Sequence, residues 1–292
     1  MSFKYSITLS SFRGMERIGT TLERLERQGY EAVEIAGEPQ NTDLDELNGI
    51  IRSYKISVCG VTGMWGRKSP RNSMRRMLSL DGDVRKHAEK YVRGCIDMCR
   101  ELGGHEFNVC LFADEDHGLP DPNHMTSPQA QKLAIIERAI PLLSDLAGYA
   151  SERGVDLLIE PLNRFSTPYC TTAADAIGIV QNIGWENAGV LLDTFHMNIE
   201  EGSIEHAIQD AGDFLKHTHF AENNRRMPGS GHIDFGGILG ALQGAGYGGY
   251  ISFEPQLDDK DYMSSTLEGL LFLKRLECEL PSKEMRKEVN PY

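Results

Sequence analysis

A chain of 292 residues, 40% hydrophobic and 25% charged, has ample material for one large globular core. Its net charge of −13 argues against nucleic acid or an anionic membrane surface as the main partner, since both reward clustered lysine and arginine. No apolar stretch approaches the roughly 20 residues of a membrane span, and the opening MSFKYSITLSS lacks the basic-then-apolar order of a signal peptide, so a cytoplasmic protein is expected.

Strand-like and helix-like runs alternate along the chain. KYSITL (4–9) leads into the amphipathic MERIGTTLERLERQ, AVEI (32–35) into LDELNGIIRSY, and ISVCG (56–60) into a long basic segment, GRKSPRNSMRR, at 66–76. That segment reads as a solvated loop or, alternatively, as a lid that attracts an anionic group on a substrate. VRKHAEKYVRGCIDMCRELGG follows, with Cys95 and Cys99 at i and i+4 facing the core and Gly103 as its stop. FNVCLF (107–112) precedes the acidic ADEDHG, whose Asp114, Glu115, Asp116 and His117 have no assigned role.

The next helical run, 127–154, carries Ser127 as N-cap with Pro128 at the first turn. It is expected to bend at Pro141 and to close at Gly154. DLLIE (156–160) is followed by TTAADAIGIVQNIG, where Thr172 and Asp175 form a capping box. GVLLD (189–193) runs into a charged loop and a helix starting at Ser203, and LKHTH (215–219) and YISFE (250–254) complete eight strand candidates. Six cysteines without a CxxC pair are expected to stay reduced.

Eight apolar strands alternating with helices, with no break in composition, predict a single-domain (β/α)8 TIM barrel over 1–280, followed by a solvated extension at 281–292. An open doubly wound sheet is disfavoured, because SSFRGMERIG replaces any GxGxxG after the first strand. In such a barrel all strand C-termini meet at one face, and four successive strands end there in Glu160, Asp193, His219 and Glu254. Three carboxylates at one mouth repel one another unless a cation compensates them. Three oxygen donors and one imidazole suit Mn²⁺, with Mg²⁺ or Co²⁺ as alternatives.

DTFHMNIEE, NRRMPGSG, E-x-x-NRF and the EP of the last strand resemble the ketose 3-epimerases of the D-tagatose and D-psicose type, within the xylose-isomerase-like barrels. The resemblance implies a metal held by Glu160, Asp193, His219 and Glu254, with His196 and Arg225 holding the carbonyl end of a sugar, in a homodimer or homotetramer. It implies inversion of the carbon next to a ketone through an enediolate whose charge the metal stabilises, with Glu160 and Glu254 as the acid–base pair on opposite faces. His196 also reads as a core histidine satisfied by a backbone carbonyl. Trp65 and Phe112 are candidate pocket walls.

Ser166 stands where these epimerases carry a glutamate, and Gln256 and Leu257 stand where they carry an aromatic. A substrate other than the usual free ketohexoses is therefore expected. A keto-inositol or keto-sugar isomerase or lyase would use the same metal site. An endonuclease IV-type enzyme shares the Glu, Asp-x-x-His, His and Glu pattern but needs further histidines, including an Asp-x-His pair after the seventh strand, where this chain has NNRRMPGSGHIDF.

Overall fold

Eight parallel strands close into a barrel in chain order: β1 Lys4–Thr8, β2 Ala32–Gly37, β3 Ser57–Gly63, β4 Glu106–Val109, β5 Asp156–Ile159, β6 Ala188–Asp193, β7 Leu215–Phe220 and β8 Tyr250–Phe253. The computed structural model describes residues 2–12, 14–66, 72–114, 128–258 and 262–281. Closure is direct: Ser6 of β1 pairs with Ala32 on one side and with Ser252 on the other. The strands read as apolar runs because helices cover their outer face and side chains fill the interior; β6, AGVLLD, is buried along its whole length.

The surrounding helices start and stop where their sequences dictate. α1 Ile18–Gln28 buries Leu22 and Leu25 and ends at Gly29, whose φ of 93° returns its N–H to Leu25 and Glu26 carbonyls. α2 Leu44–Ile51 is capped by Asp43, and α3 Gly82–Glu101 by Asp81, whose carboxylate accepts from the Asp83 and Val84 N–H groups. α3 buries Ala88, Val92, Cys95, Ile96 and Cys99, so both cysteines are core. A fully buried leucine of this kind contributes about 1.5–3 kcal/mol.

The run expected to be one bent helix is two, α4 Pro128–Glu137 and α5 Ile140–Ser151. Pro141 has no N–H to donate and takes the first turn of α5, where none is needed. The Ser127 cap lies outside the described residues. α6 Ala173–Ile183 begins as expected, with Thr172 accepting from the Asp175 N–H.

The segment after Asp193, expected to be a loop, is α7 Thr194–Glu200. Asp193 itself caps it, accepting from the Phe195 N–H at 2.8 Å. α8 Ile204–Ala211 starts at Ser203, α9 Phe235–Gly244 at Asp234, and α10 Tyr262–Glu279 closes the barrel wall.

The basic loop after β3 is partly accounted for by its own partners. Arg75 is buried, bonded to Glu38 at 2.8 Å and to the Met64 carbonyl at 2.6 Å, over the Tyr91 ring. Arg76 pairs with Asp114 at 3.2 Å. These two guanidiniums serve the fold, not an incoming anion. Arg67, Lys68, Arg71, Glu115, Asp116 and His117, and residues 282–292 of the expected extension, lie outside the described residues.

Candidate metal centre and active site

Strand register brings the site together. Asp193, the last residue of β6, pairs with His219 of β7. Glu160 and Glu254 lie one residue beyond β5 and β8, and their N–H groups extend the ladder to the Val109 and Phe220 carbonyls at 3.1 Å each. Donor atoms of Glu160, Asp193, His219 and Glu254 all lie within 4.8 Å of one another. Residues separated by up to 94 positions in sequence thus converge because every strand points the same way.

His219 is fully buried and presents its two nitrogens differently. Nε2 lies 3.2 Å from Glu34 Oε2. Nδ1 faces the cluster, 3.3 Å from Glu254 Oε2 and 3.9 Å from Glu160 Oε1, yet makes no hydrogen bond. A buried imidazole nitrogen without a hydrogen-bond partner, turned toward three carboxylates, fits a divalent cation. Burial pushes the Glu160 carboxyl up to about 7, helped by the charges of Glu254 and Asp193 and opposed by His219. Burial would raise Glu254 too, but Arg225 and His219 hold it at about 2.

Arg225 reaches the cluster itself. Its guanidinium bonds both Asp193 and Glu254, lies over the Phe195 ring at 4.9 Å, and so compensates two of the candidate ligands. Its φ of 60° is left-handed, the only such non-glycine among the described residues. The loop holds it there from both sides. Its N–H donates to the Glu222 carbonyl at 2.8 Å, and its carbonyl accepts from Gln256 N–H at 2.6 Å. The buried Glu222 carboxylate organises the loop by accepting from the Gly229 and Ile233 N–H groups.

His196 does not donate to a carbonyl. Its Nδ1 accepts from the Asn163 backbone N–H at 3.2 Å, which leaves Nε2 to carry the hydrogen, 3.9 Å from Asp193 Oδ2. Burial lowers its pKa and keeps the ring neutral. Trp65 donates to the Asn108 carbonyl and packs with the cluster of Cys110, Phe112 and Leu162, so both expected wall residues pack with Cys110, whose Sγ meets Glu160. Ser166 hydrogen-bonds within its own loop, to Asn163.

Several site residues escaped the sequence reading. Asn108 Nδ2 donates to Glu160 Oε2 at 2.5 Å, and Cys110 Sγ lies 3.2 Å from the same oxygen. Their signal was parity: Glu106, Asn108 and Cys110 alternate along β4 and its continuation, as His217 and His219 do along β7. A cleft of about 560 Å³ between the loops after β1 and β2, lined by Phe12, Ile35, Glu38 and Leu47 among others, includes none of the four candidate ligands.

The sequence pattern of the xylose isomerase-like TIM barrel matches residues 22–276. The chain is 31% identical over 240 residues to a D-psicose 3-epimerase of Agrobacterium fabrum, covering 82% of this chain and 79% of that protein. It is 26% identical to a 3-dehydro-D-guloside 4-epimerase of Escherichia coli, covering 89% and 95%. The crystal structure of a D-psicose 3-epimerase with D-tagatose from Clostridium cellulolyticum H10 superposes with a TM-score of 0.77 at 26% identity, covering 94% and 99%. Barrel topology, strand-end chemistry and epimerase relatives aligned along most of the chain agree: the protein belongs to the xylose isomerase-like TIM barrel family.

Proposed function

We propose that the chain is a divalent-metal-dependent epimerase that inverts the carbon next to the carbonyl of a ketose or related keto-sugar. The convergence of Glu160, Asp193 and Glu254 on a His219 Nδ1 that makes no hydrogen bond supports this reading above all else. These four residues would hold the cation, with Mn²⁺ the first choice, and Mg²⁺ or Co²⁺ suited to the same oxygen-rich set. When bound, the cation supplies the positive charge that makes a proton beside a ketone removable.

The protein's own groups do the rest. One carboxylate of the Glu160–Glu254 pair takes the proton from the substrate carbon, and the electron pair moves into an enediolate across the two oxygen-bearing carbons. The other carboxyl, having taken up a proton from solvent, then returns it to the opposite face of that carbon. Each turnover leaves the pair with its protonation reversed, so it re-equilibrates through solvent. His196 donates from Nε2 to a substrate oxygen, held in that tautomer by Asn163. Arg225, relieved of its charge-compensating role when a cation binds, is available to a second substrate oxygen. The enzyme works in the cytoplasm as a homodimer or homotetramer, without nucleic acid.

Solvent exchange tests the reaction. Stripped with a chelator, reloaded with Mn²⁺ and incubated in D₂O with ketoses, keto-inositols and 3-keto sugars, the protein should place deuterium on the inverted carbon. That carbon is C3 of a 2-ketose or C4 of a 3-keto sugar, because only protons beside the carbonyl are acidic. Glu160→Gln and Glu254→Gln should abolish the exchange. Exchange at C1 alone would indicate an aldose–ketose isomerase and loss of water a lyase, and either would overturn the epimerase reading.

A further inference from the structure

Behind the candidate ligands lies a second charged tier that the reaction does not use. Glu34 of β2, Glu106 of β4 and His217 of β7 are on strands that are not neighbours in the barrel, so their side chains meet only across its interior. Glu34 and His217 are almost completely buried, and Glu106 is mostly so. Glu34 Oε1 lies 2.9 Å from His217 Nε2, and its Oε2 accepts from Thr62 Oγ1 at 2.6 Å and from His219 Nε2 at 3.2 Å. His217 Nδ1 in turn lies 2.6 Å from Glu106 Oε2, an ion-pair contact without hydrogen-bond geometry. Charges so deep in a core are costly unless each has a partner, and here each does.

Resting on the cation centre proposed above, we propose that Glu34 is its positioning residue: the carboxylate holds the Nε2 edge of His219, leaves Nδ1 as the coordinating nitrogen, and is itself held by His217, Thr62 and, through His217, Glu106. A neutral imidazole has one N–H and one lone pair, so an acceptor fixed at Nε2 decides which nitrogen meets the cation. A carboxylate behind a ligating imidazole also makes it a better donor. The β2–β3 register shift between Val33 and Glu34 falls at this position, and a bulge is a means of re-aiming a side chain.

Glu34, His217 and His219 also offer three donor atoms within 4.8 Å, the spacing of a second ion. The hydrogen-bond reading is favoured, because each imidazole nitrogen facing Glu34 already meets a carboxylate oxygen at hydrogen-bonding distance.

The test uses the full-length chain, stripped of metal and titrated with Mn²⁺ or Co²⁺ against a chromophoric chelator. Glu34→Gln should weaken cation binding by about 10–100-fold. It should also shift the visible absorption of the Co²⁺-loaded protein, a signature that a merely structural residue would leave alone. Glu106→Gln, one step further back, should produce a smaller change of the same kind. Should Glu34→Gln fail to fold, the nearly isosteric Thr62→Val disturbs the same Oε2 and should loosen binding in the same direction. Unchanged affinity and spectrum in the folded variants would overturn the positioning role while leaving the cation centre intact. A wild-type chain that binds neither ion would overturn the centre itself, and two equivalents per chain, one lost in Glu34→Gln, would replace the proposal with a second ion site.

Discussion

Glu160 and Glu254 face the same cluster, yet their surroundings drive them in opposite directions. Glu160 is buried against Asn108 and Cys110 and moves up to about 7, whereas Glu254, bonded to Arg225, moves down to about 2. Without a cation, this asymmetry places the proton of the pair on Glu160. The same asymmetry predicts proton release. A cation needs Glu160 ionised, and at pH 6 most of it is protonated, so binding should expel that proton and weaken by at least about tenfold per pH unit below 7.

His219 adds to the release. Burial works against its protonation, but the charges of Glu34 and Glu254 outweigh it. Calorimetry of Mn²⁺ binding in buffers of different ionisation enthalpy should register at least one proton released at pH 6 and a smaller release at pH 8; no release at pH 6 would contradict the ligand set. Without metal, the folded chain binds more protons at Glu160 than the unfolded chain between about pH 4.5 and 7, so this group's contribution to stability declines as pH rises through that window.

Among the elements, the connection from β7 to α9 matters most, because it sets Arg225 in a backbone conformation that a non-glycine residue seldom adopts. Glu222 supplies the constraint through its carboxylate and its backbone, and Gly231 makes room for it. A Cβ at Gly231 would overlap both Glu222 Oε2 and Asn223 Oδ1. Gly231→Ala should therefore displace the loop, retain bound cation, and lower kcat/KM by about 10- to 100-fold, the scale on which small misplacements act. Steady-state kinetics with parallel metal analysis would decide it, and kcat/KM equal to wild type would show that the loop is not held in this way.

At the scale of the whole molecule, the barrel is closed and internally paired, but its surface is not uniformly polar. Phe165, Met263, Leu133 and Leu271 are all more than half exposed. Association of copies would remove apolar surface of this kind from water. Light scattering at micromolar concentration should report two or four chains, and a mass of 32.6 kDa would refute the oligomer. Among the described residues no helix is long and apolar enough to cross a membrane.

What the sequence determined by itself was the barrel and the four residues at its mouth. Alternating apolar strands and helices leave few topologies, and parallel strands carry Glu160, Asp193, His219 and Glu254 to one rim whatever the details of packing. Local signals also sufficed for Thr172 and Ser203, because a cap depends only on the three residues beside it. Asp193 lay beyond that logic: it was read as a strand end, while its second role, starting α7, depended on a helix that a short charged segment did not announce. The pairing of Glu34 with His217, 183 residues apart, of Asn108 with Glu160, and of Arg225 with Asp193 and Glu254 was decided only by the tertiary structure. Which side chains oppose one another across a barrel is set by strand register and stagger, and these emerge only when the sheet closes on itself.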